Sequence, residues 1–101
     1  MQRNYAYIRV STREQNINRQ LDAIKQLDEH IDERDVYVDK QSGKDFNRPE
    51  WQALKRSIRS GDTLFIHSLD RLGRNKQGIL KEWQWLVDNK IHIVVFDMAL
   101  L

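Results

Sequence analysis

The chain has 101 residues, of which 40% are hydrophobic and 32% are charged, with a formal net charge of +2. These values are typical of one folded domain and exclude a disordered or fibrous protein, and no apolar run approaches the length of a membrane span. The sequence has no cysteine, which removes disulfides and thiolate metal sites and favours a cytoplasmic location. The small positive charge is compatible with a nucleic-acid partner, but it does not indicate tight binding by phosphate neutralisation alone.

Hydrophobic patterning predicts strands and helices that alternate along the chain. Residues 5–10 have the aromatic and β-branched side chains of a strand, and apolar residues at helical spacing predict a helix over about 16–29. A short second strand at 36–38 is followed by a polar loop, 39–48. The later elements are a helix from Pro49 that Gly61 closes, a strand at 63–67, a helix at 75–89 and a strand at 91–96.

This alternation predicts an α/β fold with a mostly parallel sheet of four or slightly more strands and helices on both faces. Trp51 and Trp83 are predicted core residues. Trp85 lies two positions beyond Trp83 and is therefore expected on a different side of its helix. On the last helix Ile79, Trp83 and either Leu86 or Val87 are expected to face inward.

Polar side chains cluster where the predicted strands end. The residues that follow parallel strands lie together at one edge of the sheet, where ligands bind. In this sequence they are Ser11 and Arg13 after the first strand, Asp39 and Lys40 after the second, Asp70, Arg71 and Arg74 after the third, and Asp97 after the fourth. Alternation places Arg9 on the same face as Tyr5 and Tyr7, and an inward arginine is costly unless it meets an anion.

Two of these stretches also have purely structural explanations. Ser11 with Glu14 three residues later is a capping-box pattern, and residues 70–74 could be a charged turn in which Asp70 caps a helix. Taken together, however, a hydroxyl and several guanidinium groups suit phosphoryl transfer. The transition state spreads negative charge over equatorial oxygens, which planar guanidinium forks can hold.

The same residues carry a resemblance to a known family. They are YIRVST at 7–12 followed by Gln15, the pairs Asp39-Lys40, Ser42-Gly43 and Arg48-Pro49, and DRLGR at 70–74. With these motifs the whole chain resembles the catalytic domain of the serine site-specific recombinases, the resolvase and invertase group. The resemblance implies a DNA strand-exchange enzyme in which the Ser11 hydroxyl attacks a phosphodiester and forms a covalent 5′-phosphoserine link. Because the phosphoester energy is conserved, no cofactor is implied.

The resemblance also implies roles for further residues. Arg9, Arg71 and Arg74 would hold the scissile phosphate, and Arg48 would join them from a mobile loop after the second strand. Asp70 would orient an arginine or take part in proton transfer, and the group that accepts the Ser11 proton stays open. The implied supporting residues are Tyr7, Gln15, Gln20, Asp39 and Lys40.

The family pattern continues into a long dimerisation helix and then a DNA-binding domain. We therefore expect residues 1–101 to be a catalytic domain cut before both, which binds DNA weakly and does not recombine alone. The expected partners of the complete protein are double-stranded DNA and further copies of itself, as a dimer to tetramer. No membrane or small-molecule substrate is expected. Because only four residues precede the first strand, a domain that reads DNA is expected beyond Leu101.

Three other functions compete with the recombinase interpretation. A serine hydrolase using His67 or His92 is disfavoured because Ser11 lacks the glycines of a nucleophile elbow, and His92 is expected to be packed within its strand. A metal nuclease is disfavoured because no two histidines have ligand spacing. A non-catalytic binding or dimerisation module of the same fold stays open, although the set of Ser11 and arginines argues against it.

Overall fold

The computed structural model describes residues 2–10, 17–27, 31–40, 48–66 and 75–96. The strands and helices alternate along the chain, as the hydrophobic pattern predicts. They are β1 (Asn4–Val10), α1 (Ile17–Leu27), a 3-10 turn (Glu33–Asp35), β2 (Val36–Lys40), α2 (Pro49–Ser57), β3 (Thr63–Ile66), α3 (Lys76–Asp88) and β4 (His92–Val95).

The four strands form one sheet in the order β2-β1-β3-β4, and every neighbouring pair is parallel. The predicted parallel α/β fold is therefore confirmed. Since all strands run the same way, their last residues, Val10, Lys40, Ile66 and Val95, lie at one edge. We call this the carboxyl edge and the opposite one the amino edge.

Helices cover both faces of the sheet, and strand alternation divides the core accordingly. Tyr5 and Tyr7 of β1 pack towards α2 and α3, whereas Ala6 and Ile8 pack towards α1. The core on the α2 and α3 side consists of Tyr5, Tyr7, Trp51, Leu54, Ile58, Leu64, Ile66, Leu86 and Ile91. The core on the α1 side consists of Ala6, Ile8, Ala23, Ile24, Ile31, Phe65 and Phe96.

The ends of β2 and α2 differ from the sequence-based expectation. Asp39 and Lys40 are the last residues of β2 rather than the start of a loop, because their backbone continues the pairing with Arg9 and Val10. The helix after Pro49 ends at Ser57, so Gly61 does not close it. Gly61 instead occupies the turn before β3 with a φ of +92°, a conformation that glycine adopts without strain.

The tryptophans and α3 follow the predicted pattern in part. Trp51 is completely buried, but Trp83 is only half-buried and packs at the margin of the core. Leu86 is the residue that faces inward, while Val87 is exposed. Trp85 is half-buried beneath the Lys55 ammonium group, which lies 4.8 Å from its ring centroid.

The amino edge is held by buried carboxylates. Asp62, only 2% exposed, accepts the backbone N–H groups of Arg3 at 3.0 Å and Arg59 at 2.8 Å. Asp35 accepts the Arg3 Nε–H at 2.9 Å. These contacts tie the start of β1 to the turns before β2 and β3. No helix in the described ranges has the length and hydrophobicity needed to cross a membrane.

Candidate active site

The carboxyl edge brings Arg9 beside Asp39. The two residues are register partners on neighbouring parallel strands, so their side chains leave the same face of the sheet. Helix α2 covers that face. Tyr7 lies on it as well, because it precedes Arg9 by two residues and alternate residues of a strand share a face. Three of the predicted residues are therefore neighbours at one place.

Asp39 is the centre of the hydrogen bonding at this place. It is 2% exposed, and its carboxylate accepts the Tyr7 hydroxyl at 2.8 Å and the backbone N–H groups of Glu50 and Trp51, each at 3.0 Å. The last two are first-turn N–H groups of α2, which have no partner within the helix. The negative charge of a carboxylate at this position is also stabilised by the positive end of the helix dipole. Asp39 therefore joins β2 to the beginning of α2.

Tyr7 is a fully buried phenol held between charged groups. Burial raises its pKa well above the ordinary value near 10, and the hydrogen bond to Asp39 and the charge of that carboxylate raise it further. Arg48 opposes this shift through its charge and a hydrogen bond. The Tyr7 hydroxyl consequently stays protonated at neutral pH and acts as a donor to Asp39.

Arg48 lies at the N-cap position of α2 and is only 6% exposed. Its guanidinium carbon is 5.3 Å from the centroid of the Trp51 ring, and the Trp51 and Tyr7 rings are 5.0 Å apart at 56°. A cation over an indole face is stabilised by the ring quadrupole, most strongly where water is excluded. Arg48 is thus a buried residue at the head of a helix.

The remaining predicted residues divide into two groups. Gln20 is buried in α1, on the face of the sheet opposite Tyr7, and its Oε1 has no hydrogen-bond partner among the described residues. Lys40 is the last residue of β2. The others, Ser11, Arg13, Gln15, Asp70, Arg71, Arg74 and Asp97, lie outside the described residues.

Histidines contribute nothing to this place within the part of the chain that the structure describes. His92 is the first residue of β4, at the amino edge, and it is exposed rather than packed as expected, because β4 is the outermost strand of the sheet and none of its residues is fully buried. His30 and His67 lie outside the described residues. Over those same described ranges, no group of three histidine or acidic side chains could hold a metal ion.

Sequence reasoning did not assign Trp51 to the site. Trp51 was expected only as a core residue, yet its backbone N–H binds Asp39 and its ring lies against both Arg48 and Tyr7. The sequence contains one hint, because Trp51 follows Arg48 by three residues at a helix start that Pro49 marks. That spacing suggests contact, but it does not reveal which group the ring touches.

The chain is similar in sequence to known proteins over most of its length. The family profile described as the N-terminal domain of resolvase matches residues 4–100. The transposon Tn21 resolvase of Escherichia coli is 44% identical over 87 residues, which cover 86% of this chain and 43% of that protein. The transposon Tn501 resolvase of Pseudomonas aeruginosa is 40% identical over 87 residues, with the same coverage of both chains.

An invertase is among the similar proteins as well. A DNA-invertase of Enterobacteria phage P7 is 36% identical over 86 residues, covering 85% of this chain and 44% of the invertase. The chain therefore spans less than half the length of each of these relatives.

Proposed function

Because this chain belongs to the family of resolvase N-terminal domains, we propose that it is the catalytic domain of a serine site-specific recombinase that cuts and rejoins double-stranded DNA. The proposed nucleophile is Ser11, which follows the last residue of β1 directly. The observation that carries the proposal is the carboxyl edge itself. There Arg9 and the buried Arg48 flank the Tyr7–Asp39 hydrogen bond.

The proposed reaction is a pair of transesterifications. The Ser11 oxygen forms a bond to a backbone phosphorus of DNA, and the bond from phosphorus to the 3′-oxygen breaks. The serine proton leaves through a general base, and the departing 3′-oxygen takes up a proton to become a hydroxyl. In the second step a 3′-hydroxyl of another strand attacks the phosphoserine link and restores the serine. The number of phosphoester bonds is unchanged, so the reaction needs no nucleotide cofactor.

Arginines are proposed to hold the phosphate during both steps. Arg9 belongs to β1, and β3, which precedes Arg71 and Arg74 in the chain, is the parallel neighbour of β1. This arrangement supports a common place for Arg9, Ser11 and the arginines of the 70–74 stretch. Permanently charged, planar guanidinium groups can bind two phosphate oxygens at once, which suits a transition state whose charge is spread over several oxygens.

The described acids and amides support positioning roles rather than proton transfer. Both Asp39 oxygens are already used by the Tyr7 hydroxyl and by α2 backbone N–H groups. Asp39 is therefore proposed to hold the head of α2, and with it Arg48. Asp70 is proposed to orient an arginine or to take part in proton transfer, and Gln15, Gln20 and Lys40 are proposed as supporting residues.

The complete protein is proposed to extend beyond this domain. A long helix for dimer contact and a DNA-binding domain are proposed to follow it, and the working assembly on double-stranded DNA would be a dimer to tetramer. Supporting this, the chain matches only 43% of the length of the Tn21 resolvase. The place of action would be the compartment that contains the DNA, which we propose is the cytoplasm.

The test is covalent capture of DNA by the complete protein. The protein is incubated with supercoiled DNA that carries its recombination site, the reaction is stopped with detergent, and the gel is run with and without protease. A retarded, protease-sensitive DNA band is expected from the wild type, and Ser11→Ala should abolish it.

Ser60→Ala is the matched control, because Ser60 is an exposed serine in the turn before β3. This variant should capture DNA as the wild type does, and thermal melting should show that both variants are folded. Capture by Ser11→Ala would exclude that serine as the nucleophile. A folded wild type that never captures its site would favour the non-catalytic binding module instead.

A further inference from the structure

Helix α3 carries a buried acid on its inward face. Glu82 is 9% exposed and lies between Ile79 and Leu86 at helical spacing, where an apolar residue would be ordinary. Acidic side chains are rarely buried unless they are paired. Of the buried acids among the described residues, Asp35, Asp39 and Asp62 serve the two sheet edges, while Glu82 lies on a helix.

One oxygen of Glu82 joins α3 to α2. Glu82 Oε1 accepts the indole Nε1–H of Trp51 at 3.1 Å and the ammonium group of Lys55 at 2.8 Å. Trp51 and Lys55 are four residues apart and therefore lie on the same face of α2. The Lys55 ammonium group also lies over the Trp85 ring, one turn from Glu82 on α3. The contact between these helices thus consists of polar groups with defined directions.

The Trp51 indole transmits this contact to the candidate active site. Its ring is packed against Tyr7 at 5.0 Å and lies under the Arg48 guanidinium at 5.3 Å, while its backbone N–H binds Asp39. Indole has a single N–H donor, so its hydrogen bond to Glu82 selects one orientation of the ring about its χ2 angle. Without that acceptor the buried N–H would be unsatisfied, and no hydrogen bond would favour this orientation of the ring.

We propose that Glu82 is a positioning residue of the recombinase, which holds the Trp51 indole in the orientation that places Arg48 at the carboxyl edge. This inference rests on the proposed function, because it takes from it that Arg48 contacts the DNA phosphate at the carboxyl edge. Glu82 touches neither the phosphate nor Ser11 in this proposal. Its effect passes through Trp51, and Lys55 assists by compensating the Glu82 charge.

The first experiment measures the position of Arg48 without any activity. In the 101-residue chain, ¹H–¹⁵N spectra report the Trp51 indole N–H and the Arg48 Nε–H. Glu82→Leu should shift or broaden both signals, whereas Glu82→Gln keeps an oxygen acceptor and should leave both near their wild-type positions. Asp88→Leu, which removes an exposed acid from the same helix, should change neither signal. An Arg48 signal that stays unchanged when the Trp51 signal moves would overturn the proposal.

The second experiment is a double-mutant cycle on DNA cleavage by the complete protein. At saturating DNA, Glu82→Leu should lower the cleavage rate about 10- to 100-fold, since small displacements of a positioned group have effects of that size. Glu82→Gln should restore most of the rate. In an Arg48→Ala background, Glu82→Leu should have little further effect on the rate, although it should lower the melting temperature in both backgrounds.

The outcomes separate this inference from the proposed function. Equal rate losses from Glu82→Leu with and without Arg48 would make Glu82 a purely structural residue and overturn the positioning role. If the wild type shows no Ser11-dependent capture, the proposed function fails, and the spectra still decide whether Glu82 controls Arg48. Should Glu82→Leu fail to fold, Glu82→Met, which also lacks an oxygen acceptor but keeps an unbranched side chain of similar length, takes its place in both experiments with the same expected and overturning results.

Discussion

Tyr7 shows how much of the candidate site depends on one protonated hydroxyl. The phenol donates to Asp39 at 2.8 Å, and burial is the largest cause of its raised pKa. Losing the proton would place a phenolate against a carboxylate in a water-free place, which is strongly unfavourable. The residue is therefore suited to positioning and not to accepting the proton of a nucleophile.

The raised pKa of Tyr7 predicts a loss of stability in alkali. A group whose pKa is higher in the folded state than in the unfolded state binds more protons when folded, so its stabilisation is complete below pH 10 and falls above it. The free energy of unfolding, measured with urea between about pH 8 and 11, should fall by up to about 1.4 kcal/mol per pH unit for this group.

Tyr7→Phe is expected to flatten that alkaline slope. Some slope should persist because Tyr5 also has a raised pKa, chiefly through burial. Ser60→Ala, which changes an exposed serine and removes no titratable group, is the control and should keep the wild-type slope. An unchanged slope in Tyr7→Phe would contradict the account of this tyrosine.

At the scale of elements, α2 is attached to the sheet through its first turn. Pro49 fixes the backbone for the first helical position, but Arg48 at the N-cap makes no side-chain capping bond. Asp39, from the neighbouring strand, supplies the missing acceptor to Glu50 and Trp51. The helix start is thus determined by a tertiary contact, which also holds Arg48 at the carboxyl edge.

Removing the contact between Asp39 and the first turn of α2 should lower the free energy of unfolding. Asp39→Ala leaves two helix N–H groups and the buried Tyr7 hydroxyl without their acceptor, and we expect the free energy of unfolding to fall by about 2 to 4 kcal/mol. Asp39→Asn keeps an oxygen acceptor and should lose less. Asp32→Ala is the comparison. Asp32 caps the 3-10 turn at an exposed position, so its removal should lower the free energy of unfolding less than Asp39→Ala does. Urea unfolding checks all three, and equal losses for Asp39→Ala and Asp32→Ala would contradict the role given to Asp39.

For the molecule as a whole, we expect residues 1–101 alone to bind DNA weakly. The net charge of +2 offers few phosphate contacts, so the Kd should be about 10 µM or weaker at physiological salt. Fluorescence anisotropy with labelled site DNA measures this Kd, and the complete protein is the reference.

The isolated domain should also form no covalent adduct with DNA. A stable adduct made by these residues alone would show that further domains are not required for cleavage.

Sequence reasoning predicted the fold because apolar spacing marks each strand and helix separately. It did not predict the strand order, since every strand here is apolar enough to lie beside any other. It misplaced Asp39, because a buried acid at the end of a strand has the same polarity as a loop residue. It placed Arg48 correctly before the helix but did not predict its burial, since the Trp51 ring that covers this arginine comes from packing and not from composition. Local patterns therefore specified the elements, and tertiary contacts specified the site.

The two edges of the sheet divide the surface of the domain in a way that matters for practical work. The backbone of Arg3 is anchored by Asp62 at the amino edge. The N-terminal end of β1 therefore lies on the side of the sheet away from Arg9 and Asp39. An affinity handle or fluorophore joined ahead of Gln2 would consequently stand clear of the surface proposed to receive DNA.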